Sequence, residues 1–247
     1  MLCVAWTMPR TTVQAQSAAQ WADSARIAIE SAYLAGDLNA LTSARALVER
    51  ALTRFPGDAW LLHYNGYALF REVNLRQGRY REKDLDPYLE KAEALLKSSA
   101  AKQPIPETYA LLSSVIGQQI GAHPLKGMTM GPRSNSAMED ALAHGQDNPR
   151  VWLLRGIGAR FTPKLFGGGN ERAEEYLRRA IALYERDSVK PPAPGWGRDE
   201  AWVWLGQIFE ENKQWEQARR AYEQALQYEP RNGWVRDELL PNLNKRK

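Results

Sequence analysis

One stretch of the sequence, AWVWLGQIFEENKQWEQARRAYEQALQYEP from Ala201 to Pro230, restricts the possible folds more than any other. Trp202, Leu205 and Phe209 fall at helical intervals and make one apolar stripe, while the small Gly206 and Ala218 let two antiparallel helices approach closely. Ala218, Tyr222 and Ala225 mark the facing helix, and Pro230 stops it. The pattern is that of a helical hairpin.

These residues resemble the tetratricopeptide repeat at its signature positions, with Phe209 standing where the family usually has Tyr. The resemblance implies an all-α solenoid of stacked hairpins. Upstream, Ala44, Val48, Ala51 and Pro56 repeat the second-helix pattern, with Ala32 at the small position of a first helix around Ala22 to Ala35. Ala92, Leu96, Ser99 and Pro104 repeat it again, as do Ala137, Ala141, His144 and Pro149. Trp152 and Gly156 open another first helix, answered by Ala173, Leu177 and Ala180. The expected architecture is one superhelical domain over 21–247, with hairpins at about 22–56, 59–104, 106–149, 150–187 and 199–230 and a capping helix at 232–243. The resemblance covers nearly everything after residue 20 and is close only in the last repeat.

The hairpins differ in one place. From the small residue of the first helix to the first Ala of the second, Gly206 to Ala218 and Ala32 to Ala44 each span 12 positions. Gly156 to Ala173 spans 17, Ser113 to Ala137 spans 24 and Tyr64 to Ala92 spans 28. All three extra segments therefore fall in the turn inside a hairpin, and in a stack such turns lie along one edge, a common place for binding. They read REVNLRQGRYREKDLDP (71–87), GAHPLKGMTMGPRSN (121–135) and FTPKLFGGGN (161–170). The second and third carry Lys126, Arg133 and Lys164 with no acid, so the edge is expected to be locally basic. Asp86 before Pro87, Ser136 with Glu139, and Asn170 are expected to start the helices that follow.

Loops of the types GxxPxKGMxxGPRS and FTPKxFGGG within such repeats resemble a group of exported bacterial tetratricopeptide proteins, and the FGGG element resembles the helical lipoprotein component of some periplasmic solute transport systems. Neither resemblance implies a chemistry. Both imply a periplasmic or secreted protein, with a cytoplasmic one as the alternative. The opening MLCVAWTMPRTTVQAQSAAQ has an apolar Leu2 to Trp6 and a small-residue Val13-Gln14-Ala15, but no charged leader and too short an apolar core, so residues 1–20 are expected to be an export-signal remnant or a disordered tail.

Other chemistries find little support. A hydrophobic fraction of 44% with 25% charged residues is ordinary for a globular protein, and a net charge of +4 without a clustered basic run does not point to nucleic acid. No apolar run is long enough to span a membrane. With Cys3 as the only cysteine, no internal disulfide or Cys-based zinc site can form. His63, His123 and His144 fall in separate hairpins without a second His at helical spacing, so no metal or cofactor is expected, and His144 is expected to be partly buried. The glycines 167–169 lack the Lys-Ser or Lys-Thr of a phosphate loop, and Glu171, Glu174 and Glu175 would repel phosphate from the helix start. No GxSxG turn marks a nucleophile, and no catalytic residue is expected. Most of the nine tryptophans fit packing between hairpins, whereas Trp196 lies in the linker SVKPPAPGWGRD and is expected to fold back as a plug or to meet a ligand. Gln207, Glu210 and Glu211 have the wrong charge for clamping a C-terminal carboxylate and suit a basic or neutral peptide.

The expectation is a non-enzymatic module that binds a protein or peptide through its concave helical face or its insert edge. His123, Lys126, Arg133, Lys164 and Phe166 are the candidate binding residues. The alternative is a periplasmic small-ligand or transport-accessory protein in which the inserts fold over a pocket lined by His123, Lys126, Arg133 and Lys164.

Overall fold

The structure, a computed structural model, describes residues 16–246. Of the export-signal remnant or tail expected at 1–20, the first fifteen residues lie outside the described residues, whereas Ser17 caps α1 and Ala18 to Gln20 already belong to it, so the helical domain starts earlier than expected. Five antiparallel hairpins follow in order: α1 (Ala18–Leu34) with α2 (Leu38–Arg54), α3 (Ala59–Arg76) with α4 (Asp86–Ala100), α5 (Pro106–Ala122) with α6 (Gly127–Gly145), α7 (Pro149–Phe161) with α8 (Asn170–Tyr184), and α9 (Arg198–Glu211) with α10 (Trp215–Tyr228). A π-helical segment, Trp234–Leu239, and α11 (Leu240–Asn244) cap the last hairpin. The fold is the expected all-α solenoid, and among the described residues no helix is long and apolar enough to cross a membrane.

Local sequence accounts for many helix starts. Ser17 and Gln20 form a capping box, and the side chains of Asp37, Asp58 and Asn148 accept backbone N–H groups at the starts of α2, α3 and α7. Within the hairpins, one residue type sets the spacing. A methyl group added to Gly66 would lie 2.7 Å from Leu96, one on Gly156 2.9 Å from Leu177, and one on Gly206 2.5 Å from the Tyr222 ring. Each glycine is therefore a notch into which the facing helix places a large side chain. The true counterpart of Gly206 in the second hairpin is Gly66, not Tyr64, so the apparent insertion there is two residues shorter than the sequence spacing suggests.

The core is one continuous cluster that includes Ile29, Leu41, Leu61, Leu96, Leu111, Leu153, Leu177 and Tyr222. Burying each of these aliphatic side chains contributes about 1.5–3 kcal/mol, which offsets the ordering of the chain.

The inserts are more structured than the sequence suggests. Arg71 and Glu72, expected on a surface insert, are buried in the last turns of α3. The 121–135 segment is mostly helix: α6 begins at Gly127 and runs through Pro132, so Ser136 and Glu139 lie inside it rather than at its start. Asp86 and Asn170 do not cap their helices either. Asp86 accepts from His123, and the Asn170 amide donates to Glu211 at 2.8 Å.

Candidate functional site: a concave groove floored by an internal linker

The sequence of α3 places Tyr64, Tyr67 and Arg71 close together on one face, at intervals of about one turn. The same residues line the concave side of the solenoid. The linker between α8 and α9 folds across that side rather than into solvent. The Tyr64 hydroxyl donates to the Pro192 carbonyl, and the Tyr184 hydroxyl donates to the Trp196 carbonyl at 3.0 Å. Trp196, only 7% exposed, stacks on Tyr67 with ring centroids 5.4 Å apart and an interplanar angle of 13°. Of the two expectations for Trp196, the plug is the one observed. Gly197 permits it, with φ at 103° and no room for a side chain beside Tyr184 and Leu153.

Arg71 is the centre of this region. Its guanidinium lies 4.0 Å from the Tyr33 ring centroid, 5.0 Å from Tyr67 and 5.3 Å from Trp196, and it forms a two-pronged pair with Glu200, with one bond of 2.8 Å. Although burial alone would lower its pKa, Glu200 and the neighbouring tyrosines hold it well above the usual arginine value, so it is a permanent buried cation. Arg150 has a similar role two hairpins along the stack, fully buried and paired with Asp187. Neither arginine stands out as functional in the sequence. The available signal was a charged residue inside an apolar run, Tyr67 to Val73 for Arg71.

Beside the linker a cavity of about 410 Å³ remains open, lined among others by Tyr33, Tyr67, Arg71, Trp196, Arg198 and Tyr228. Its wall carries four acids, Glu30, Asp199, Glu200 and Glu229, against three arginines, Arg71, Arg198 and Arg231. Asp199, deeply buried and close to Glu200, has its pKa pushed up to about 6, and Asn232 donates to it at 2.9 Å. Burial also raises the carboxyl of Glu30, against the pull of Arg26. Tyr67 Oη, Trp196 Nε1 and Glu30 Oε1 are buried at this wall and make no hydrogen bond to any described residue.

The five residues chosen from the sequence lie elsewhere, and none lines this cavity. His123 ends α5 and meets Asp86 at 2.7 Å, Arg133 pairs with Glu93, and Lys164 pairs with Glu171 at 2.9 Å. Lys126 and Phe166 are exposed on one-turn 3-10 helices, Pro124–Lys126 and Lys164–Phe166. His144, expected to be partly buried, is exposed and stacks on Tyr109. Among the described residues no group of His, Cys, Asp and Glu could hold a metal ion. The glycine triplet is used up internally. Gly167 donates to Lys164, Gly168 to Pro163 and Gly169 to Ala159, which turns all three N–H groups inward rather than toward an anion. On the face of α9, Arg160 takes Gln207 and Glu211, and Glu210 accepts from Tyr222 at 2.9 Å.

Residues 199–232 match the family model of the tetratricopeptide repeat. This hairpin is a tetratricopeptide repeat. No curated protein matches the chain by sequence. Among solved structures, the chain is similar to the HusA haemophore from Porphyromonas gingivalis, with 22% identity, a TM-score of 0.66, and coverage of 81% of this chain and 96% of that one. It is also similar to TTC0263, a thermophilic tetratricopeptide protein in Thermus thermophilus, with 20% identity, a TM-score of 0.61, and coverage of 87% and 95%. At these identities the likeness establishes the tetratricopeptide solenoid fold.

Proposed function

We propose that the protein is a non-enzymatic scaffold that holds an extended segment of a partner protein in its concave groove. The observation that carries this reading is the linker itself. The groove already binds a Pro- and Gly-rich segment, the chain's own residues 190–197, which turns at Lys190–Ala193 and then runs on to Gly197, through tyrosine hydroxyls on its carbonyls and a stacked indole. The open volume beside that segment continues the same aromatic wall. With four acids to three arginines on the wall, a neutral or basic segment is the better fit.

A second reading, a small ligand in the same cavity, is supported by the unbonded Tyr67 Oη, Trp196 Nε1 and Glu30 Oε1, and by the name of the similar HusA as a haemophore. It moves the small-ligand alternative from the insert loops to the groove. The proposal includes an exported, bacterial envelope location, supported by the loop resemblances and tested by fractionating cells that produce the chain from its natural gene.

Selection of a random peptide library on the purified protein tests the first reading. Neutral or basic sequences are expected, with binding weakened at least tenfold by Tyr33→Ala or Tyr228→Ala. Peptides indifferent to both substitutions would exclude the groove as their site.

A further inference from the structure

The hairpin turns carry a feature that the groove does not explain. Leu125 is 98% exposed, Met128 90%, Leu165 87% and Phe166 73%. These are among the largest apolar side chains of the two turns, and they point outward in a protein whose core is otherwise well filled. Tyr80, 49% exposed, holds the corresponding place in the α3–α4 turn. The turns follow the C-terminal ends of α3, α5 and α7, which are first helices of consecutive hairpins. α3 packs on α5 and α5 on α7, so the three tips lie along one edge of the stack. Cations accompany each tip. Segments 77–84, 123–133 and 162–169 together contain six Lys and Arg against two acids, and the two acids are both in the first. Lys126 sits between Leu125 and Met128 with no acidic partner among the described residues, and Lys164 adjoins Leu165 and Phe166 while pairing with Glu171, itself highly exposed. Arg133 pairs with Glu93, and Arg81 with Asp84 at 2.8 Å, which leaves Arg79 and Lys83 as the cations of the first tip.

We infer that this edge docks on an anionic lipid surface, with Leu125, Met128, Leu165 and Phe166 entering the acyl boundary and Lys126, Lys164, Arg79 and Lys83 lying against the headgroups. Three observations favour lipid over a protein face. The apolar groups sit on short 3-10 turns and the first turn of α6, almost fully exposed, which suits insertion into a fluid boundary. Long cationic side chains stand directly beside them, as is required for a stem in the apolar layer and a charge at the headgroups. The combination recurs at successive turns along one edge, fully at the second and third and with the half-exposed Tyr80 at the first.

Cosedimentation of the full chain with phosphatidylglycerol-containing vesicles and with pure phosphatidylcholine vesicles tests the inference. Binding to the anionic vesicles is expected, reduced at least tenfold by the triple change Leu125→Ser, Leu165→Ser and Phe166→Ser, and reduced by Lys126→Glu with Lys164→Glu or by added salt. The groove change Tyr228→Ala should leave it intact, which separates this result from the fate of the groove reading. Absence of vesicle binding overturns the inference, as does binding that the tip substitutions leave unchanged or that is equal on uncharged vesicles. Sedimentation equilibrium of the free protein supplies a further refutation: self-association abolished by the triple change, without vesicle binding, would assign the edge to a second copy. All the substituted side chains are exposed, and circular dichroism should show an unchanged fold.

Discussion

The concave floor and the turn edge of this solenoid both set large apolar side chains beside cations, in opposite ways. On the floor, Tyr67, Trp196 and Arg71 are buried against one another, and the charge is matched by Glu200. On the edge, Leu125, Leu165 and Phe166 are exposed, with Lys126 and Lys164 around them. The last hairpin supplies the reference for the edge. Its turn is only Asn212 to Gln214, with Lys213 at a φ of 59°, and it presents no large apolar group. A hairpin of this type therefore closes without apolar tips. The floor is expected to contribute to stability, and the edge to carry surface that stability does not need.

Substitution can break that contrast, beginning with the floor. Arg71→Ala would leave Glu200 without its buried partner, and the loss of the pair is expected to cost about 3–5 kcal/mol in chemical denaturation. A loss below about 1 kcal/mol would mean that the floor is not the stabilising region.

A titration sharpens the same contrast. His63, packed among Trp60, Tyr64 and Tyr67, has its pKa lowered by burial to about 3, and its Nδ1 lies 2.8 Å from the Thr108 hydroxyl. The unfolded chain takes up a proton near the ordinary histidine value, while the folded chain resists it. Stability from this group is thus complete above about pH 6.5 and falls as the pH drops toward 3, by about 2–3 kcal/mol at pH 4.5. Because the raised pKa of Asp199 gives an opposite slope over the same range, the His63 contribution is read as a difference: between pH 7 and 4.5 the parent chain should lose more stability than His63→Gln, even if that variant is less stable overall.

The smallest effect is expected on the edge. Leu125→Ser and Phe166→Ser should shift stability by no more than about 0.5 kcal/mol in the absence of lipid. A loss of about 2 kcal/mol would show that these side chains pack in solution and are not free tips.

The helical hairpins were readable because their cause is local. Glycine notches and large side chains recur one turn apart, and the proline and acid positions delimit the helices. In the second hairpin the spacing points to Tyr64 as the notch, because the large residues around Gly66 obscure the small one. The edge was readable as a position along the stack, through the lengthened spacing, and its cations were found. The exposed Leu125, Met128 and Leu165 were not, because apolar letters in a loop carry no sign of which way they point. The floor was the least visible part. Trp196 drew notice through its proline and glycine neighbours, but its partner Tyr67 lies far away in sequence, and Arg71 with Glu200 is separated by 129 residues. Such pairs follow from the curvature of the whole stack, which no local pattern encodes. The pairing of His123 with Asp86 was hidden for the same reason.

The Arg71–Glu200 pair has a consequence for how the molecule comes apart. In an open solenoid each hairpin touches only its neighbours, so ends can fray while the middle stays folded. Here the second hairpin is bonded to the fifth, and the segment that carries Trp196 is bonded to both the second and the fourth. Those crossings turn a linear array into a closed loop of contacts, in which melting one hairpin removes support from one that is not adjacent to it. From the second hairpin to the fifth the stack is clasped as a ring, and it is expected to melt as one unit where a chain of independent repeats would open link by link.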